Sequence, residues 1–176
     1  MREAWPLLVI AAALVAGTAA AGERAADLVD SFQSFCVPGP PNFAAVEAKA
    51  AAMNLSVRKD VGTPRQPGPF SHSKSWLVSL PSGALELVAS EARGPRGEAA
   101  ACGVGAEDAD GEAVKQQLVR TMKLEAPLRQ TASADGTQRV TVWTYGAGVT
   151  LVLADGTPMK IPGIYLTLLQ QATASP

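Results

Sequence analysis

Three kinds of hydrophobic spacing divide this chain. The first is an unbroken apolar run from Leu7 to Ala16, preceded by Arg2 and followed by the small residues of "GTAAAGE". A basic start, an apolar run of about ten residues and a small-residue end, in that order, predict a secretory signal segment over residues 1–21, cleaved after Ala21. Glu3 weakens the basic start, so retention of the segment as an uncleaved anchor is the alternative. The stretch from Trp5 to Ala21 sits at the short end of what spans a bilayer.

The second spacing is helical. Leu28, Phe32 and Phe35, with Val29 beside them, predict a first helix over about Glu23 to Phe35, which Pro38, Pro40 and Pro41 stop. Asn42 is placed to cap a second helix, with Phe43, Val46, Ala50 and Met53 along one apolar stripe. In "DADGEAVKQQLVRTMKLEAP" Asp110 is the cap of a third, and Glu112 complements the positive end of its dipole. Val114, Leu118 and Met122 line its inner face, and Pro127 lies just past its end.

The third spacing alternates. "SVRKDV" reads as a short strand. Trp76, Val78 and Leu80 alternate before the turn Pro81–Gly83, and Leu85, Leu87 and Ala89 alternate after it. A strand over about Glu98 to Val104 carries Cys102. Val140, Val142 and Thr144, then Val149, Leu151 and Leu153, flank a turn at Tyr145–Gly148, and "GIYLTLLQQ" forms the last strand. Gly62 to Lys74, rich in Pro, Gly and Ser, is predicted to be a loop. Residues 172–176 are expected to fray.

These elements predict one α+β domain over residues 22–171, a mainly antiparallel sheet of five to six strands with two to three helices packed on it. The order is compatible with two αβββ-like halves, although no motif repeats between them.

Composition changes this picture in two places. With 15 Lys and Arg against 16 Asp and Glu the net charge is −1, so a phosphate-backbone partner is not expected and nucleic acid is set aside. The chain has two cysteines, Cys36 and Cys102, and in an exported protein pairing is their expected fate. Closing so long a loop is worth about 4 kcal/mol in the chain-entropy model. The alternative is that either thiol is a nucleophile activated by His72, the only histidine. A lipid anchor on Cys36 is excluded, because Gln33, Ser34 and Phe35 precede it and it lies well past the apolar run.

Catalytic signals are thin. His72 lies between Ser71 and Ser73 in "PFSHSKSW", but no G-x-S-x-G elbow accompanies it, and Ser82 has the spacing of a turn. A solvated loop histidine is the expected reading, with no catalytic residue assigned and His72 as the one weak candidate. Arg58, Lys59, Arg65, His72 and Lys74, with Trp76 beside them, form a locally basic stretch suited to an acidic ligand or an anionic surface. Gly103, Gly105 and Asp108 miss the dinucleotide pattern, and Asp108, Asp110 and Gly111 miss the calcium-loop pattern at its first and twelfth positions. One histidine and two paired cysteines make no zinc site, and no metal or cofactor is expected. Glu86 and Glu91 are a carboxylate pair that nothing in the sequence brings together.

A helix ending in Phe32 to Cys36 in the pattern aromatic-x-x-aromatic-Cys, followed by proline and then Phe43, resembles small exported alphaproteobacterial proteins of unknown function. The resemblance implies a periplasmic location and transfers no activity. The functional expectation is an exported, periplasmic or secreted, non-catalytic binding or envelope-interaction module, with an envelope protein or a small ligand as partner and membrane contact only through an uncleaved signal segment. Two alternatives stand beside it: a hydrolase-like enzyme using His72, and an inhibitor of an exported hydrolase that inserts the loop 62–74.

Overall fold

In the computed structural model the described residues are 6–95, 97–156 and 163–173, with the backbone alone described for 6–20, 172 and 173. The elements are α1 (Pro6–Cys36), α2 (Phe43–Ala52), β1 (Ser56–Gly62), β2 (Phe70–Leu80), β3 (Gly83–Gly94), β4 (Gly97–Ala106), α3 (Gly111–Met122), β5 (Arg129–Ala132), β6 (Arg139–Gly146), β7 (Val149–Asp155) and β8 (Ile164–Thr173). Both short helices begin as their caps dictate. The Asn42 side chain accepts from the Ala45 amide at 3.0 Å and Asp110 from the Ala113 amide at 2.7 Å, each filling an amide that the first turn leaves open.

The strands form one antiparallel sheet in the order β1-β2-β3-β4-β8-β7-β6-β5. Eight strands stand where five to six were expected. The surplus lies at the polar edges: β5, within a stretch read as a connection, was not expected, and β1, read as the short strand "SVRKDV", is like it exposed at every position, without the alternation that marks a half-buried strand. Each helix α2 and α3 is followed by a four-stranded meander, so the halves are αββββ units, one strand longer than expected, and their last strands β4 and β8 pair at the centre. The registers make the correspondence concrete. Trp76 pairs with Leu87 and Leu87 with Val104 in the first half; Trp143 pairs with Leu151 and Leu151 with Leu168 in the second. A two-fold axis normal to the sheet, through the Gly103–Thr167 pair, relates the two rows.

All three helices cover one face, and α1 lies across β4 and β8 between the other two. Leu28, Val29 and Phe32 of α1 are fully buried against Leu85, Leu87, Val104, Leu166 and Leu168. At roughly 1.5–3 kcal/mol for each large apolar side chain, this layer is the main stabilising term. The Cys36–Cys102 disulfide is formed, with the Cα atoms 5.4 Å apart, and ties the end of α1 to β4.

Several local expectations are corrected. The first helix does not begin at Glu23: its backbone is helical from Pro6, through the expected cleavage point. Residues 1–5 of the expected signal segment lie outside the described residues. Met53 is 52% exposed because α2 ends one residue before it. In β6 the core-facing residues are Thr141 and Trp143, and Val140, Val142 and Thr144 take the opposite face. Ala172 and Thr173 pair with Glu98 and Gly97 rather than fray; 174–176 lie outside the described residues.

Candidate functional site

The segment Gly62–Lys74 is not a loop throughout. Strand β2 starts at Phe70, so His72 and Lys74 are strand residues on the helix-covered face and only 63–69 connect β1 to β2. The alternation seen at Trp76 and Val78 continues backwards through Lys74, His72 and Phe70. His72 is consequently 7% exposed, and the expectation of a solvated loop histidine is overturned.

His72 lies in the floor of a cleft of about 660 Å³. The floor is one cross-strand row: His72 opposite Glu91, Glu91 opposite Ala100, and Ala100 opposite Gln170. Pro41, Phe43 and Glu47, from the start of α2, make one wall, and Pro64 and Arg65 another. The Phe43 ring stands 4.5 Å from the imidazole at a tilt of 38°.

Charge around the cleft is paired. His72 Nε2 lies 2.8 Å from Asp60 Oδ1 and donates to it when it carries the ring proton. Lys74 Nζ is 2.7 Å from Glu47 and 3.4 Å from Asp60, so the chain His72, Asp60, Lys74, Glu47 joins β2, β1 and α2. On the other side Arg65 bridges to Glu98 at 3.0 Å and to Glu91 at 3.5 Å, and Arg93 Nε donates to Glu98 at 2.7 Å. Arg65 and Arg93 both lie over the Phe70 ring, at 5.7 and 5.5 Å. The His72 hydrogen bond, with Lys74 adding to it, holds the Asp60 carboxyl below its ordinary value. Arg93 does the same for Glu98, and the bond to Glu47 raises Lys74.

Of the basic stretch, Arg65, His72 and Lys74 meet here. Arg58 lies elsewhere, lining a second cavity of about 410 Å³ beside Tyr165 and Glu86. Lys59 pairs with Ser75, and Trp76 is a core residue, 2% exposed, with Lys74 Nζ 5.8 Å from its ring centre. Glu86 and Glu91, an odd number of residues apart on β3, project to opposite faces and cannot act together. The residues that sequence reasoning missed are Phe43, Glu47, Asp60 and Glu98. Their signal is weak: they come from three elements, α2, β1 and β4, and only the fold brings them to His72.

Among the described residues no nucleophile is assembled with His72. Strand alternation points Ser71 and Ser73 away from the helix-covered face, the Ser82 hydroxyl donates to Asp27, and no Ser, Thr, Cys or Tyr is among the residues lining the cleft. Asp110 is a helix cap and Asp108 an ion-pair partner of buried Arg24, at 2.7 Å. Among the described residues no group of three or more His, Cys, Asp or Glu could hold a metal ion, and no helix is long and apolar enough to cross a membrane. Compared with known proteins, the chain matches no family model, no curated protein and no solved structure.

Proposed function

We propose that the protein is an exported, non-catalytic binding module whose cleft between α2 and the β2–β4 floor takes a short peptide or amino-acid-like zwitterion. The observation that carries this reading is the cleft's chemistry: both signs of charge line it, at Arg65 and Glu91, beside a histidine and an aromatic ring, with no hydroxyl or thiol to attack a substrate. A zwitterion can exchange with the long 3.5 Å Arg65–Glu91 contact and leave neither charge unpaired. Location rests on the signal-like first 21 residues, on the disulfide, which suits an oxidising compartment, and on the resemblance to small exported alphaproteobacterial proteins.

A thermal-shift panel of amino acids and dipeptides tests the reading. Members of the panel are expected to raise the melting temperature of the unaltered protein, and Glu91→Gln and Arg65→Gln are expected to abolish the rise. No rise with any member, or a rise that both variants keep, defeats it.

One observation favours a second reading, the hydrolase. Asp60 at 2.8 Å from a buried imidazole at the floor of a concave cleft has the geometry of a base and its orienting carboxylate. With no side-chain nucleophile in the lining, the attacking group would be water. Turnover of chromogenic esters or anilides that His72→Gln eliminates would establish it. The inhibitor reading has less support, because the connecting segment is short and Arg65 ties it to the sheet through Glu98.

A further inference from the structure

Among the described residues no element covers the sheet face opposite the helices, and its composition is not that of a face built for water. Along β2, β3, β4, β8, β7 and β6 it presents Ala, Gly, Ser, Thr and Val, with Leu77, Leu169, Tyr165 and Gln171, and one formally charged residue, Glu86. Antiparallel sheets that meet water on one side alternate apolar with polar and charged positions. The centre is also low. Strand β4 contributes Ala99, Ala101, Gly103 and Gly105, and larger groups stand on either side: Val88 on β3, Thr167 and Leu169 on β8. The low strand is enforced by contact. A Cβ on Gly105 would lie 2.3 Å from the Tyr165 ring, which covers that position, and one on Gly103 would lie 2.8 Å from the Leu166 carbonyl oxygen. On this face Ser75 is 5% exposed and its hydroxyl has no hydrogen-bond partner.

We propose that this face is an interface between two copies of the chain, packed sheet on sheet. Three observations select a second copy over a foreign partner. Across the six strands the one formal charge, Glu86, has Arg58 of β1 beside it in the second cavity, so the centre of the patch can meet itself with little like-charge repulsion, as an isologous two-fold contact requires. Its extent suffices: six strands at about 4.8 Å spacing and about seven residues at about 3.3 Å make a footprint of roughly 600 Å² per copy. Two such footprints reach the lower end of stable interfaces, about 1,200 Å² in total. Finally, charge stands at the margins: Lys59 and Arg129, which share this face by their pairing with Ser75 and Val142, lie on the two edge strands. The edge strand β1 carries Arg58, Lys59 and a register break between Val57 and Lys59, and β5 begins with Arg129, which is how edge-to-edge pairing is blocked. In the dimer the raised rows at Val88 and Val152 of one copy pack against the part of β4 in the other that Tyr165 and Thr167 leave low, at Ala99 and Ala101, at the sheet spacing of about 10 Å.

Sedimentation equilibrium of the protein purified as the cell makes it tests this. The expected result is a dimer that dissociates on dilution, with Val88→Lys and Val152→Lys each weakening it by at least about tenfold. Ala48→Lys, on the exposed side of α2, is expected to leave it intact. Far-ultraviolet circular dichroism checks that the variants fold, and Thr150→Lys, at a half-buried position of the same face, replaces any that does not. A monomer at every concentration overturns the proposal, as does a dimer insensitive to all three lysines. Ligand-induced thermal shifts read the cleft on the other face, so failure of either proposal leaves the other standing.

Discussion

The two halves share one topology and differ at one equivalent place. Four residues before each tryptophan stands a basic or imidazole side chain, His72 in the first half and Arg139 in the second. Each pairs across the ladder with a carboxylate, Glu91 or Asp155, next to the start of a helix. In the second half the place is closed. Arg139 bonds Asp155 at 2.9 Å, Asp155 is 2% exposed, and α3 begins with Gly111, whose missing side chain lets the helix start lie against that carboxylate. In the first half α2 begins with Phe43, whose ring stands on His72 and holds the helix start off the sheet. A cleft remains where its counterpart is filled. The first residue of a helix, glycine or phenylalanine, thus separates a closed ion pair from an open cleft on one architecture.

The largest expected effect concerns how the halves are fastened. The first is stapled to α1 by Cys36–Cys102; the two-fold counterpart of Cys102 is Leu166, which only packs. Opening a link across 66 residues is expected to cost about 4 kcal/mol, read as a shift in the urea midpoint of Cys36→Ser/Cys102→Ser. Hydrogen exchange should then show β1–β4 loosening before β5–β8; uniform loosening would deny the asymmetry.

Next is the closed site itself. A Cβ on Gly111 would sit 2.2 Å from the Asp155 carboxyl, so Gly111→Ala must push α3 off the sheet, at about 1–3 kcal/mol. Denaturant unfolding measures it, and an unchanged midpoint would show that the close approach is dispensable. Gly111→Ala also opens the second site toward the geometry of the first, visible as new accessibility of Asp155 to carbodiimide.

Acid should then act on the first half. Folding lowers the carboxyls of Asp60 and Glu98 below their ordinary values of 3.8 and 4.5. The folded chain therefore binds fewer protons than the unfolded one in that window. The resulting stability is fully present above those ordinary values and is lost as pH falls through the lowered ones. His72→Gln, which removes the main cause at Asp60, is expected to flatten the dependence of the urea midpoint on pH below about 4. An unaltered slope would mean that the His72–Asp60 contact does not form in solution.

The smallest effect lies in the turn between β5 and β6. Asp135 accepts from Ser133 and Thr137, and these bonds lower its pKa to about 2. Carboxyl titration by nuclear magnetic resonance should find it there, and Ser133→Ala should move it up toward 3.8 with little change in melting temperature.

Much of this was legible along the chain, for reasons that stay local. Caps at Asn42 and Asp110, prolines after Val37, the hairpin at Pro81–Gly83 and the apolar periods of α2 and α3 depend on neighbours a few residues away. Of the edge strands, β1 was legible as "SVRKDV" but β5 was not, since a strand with both faces wet has no reason to alternate. His72 was misplaced for a related cause: the glycines and prolines of Gly62–Pro69 mask the start of β2, and its alternation becomes plain only at Trp76.

By itself the sequence determined the local stops and starts, the α+β class, and the cysteine pair, because two thiols have one way to join. The tertiary structure alone decided the strand order and the meeting of Asp60, His72, Glu91 and Glu98, which come from four strands and pair through registers that no local pattern specifies. It also decided that Phe43 would prop one site open while Gly111 lets its twin close. The physical reason is range: caps and periods act within a few residues, whereas a cleft is what remains after distant side chains have competed for the same space.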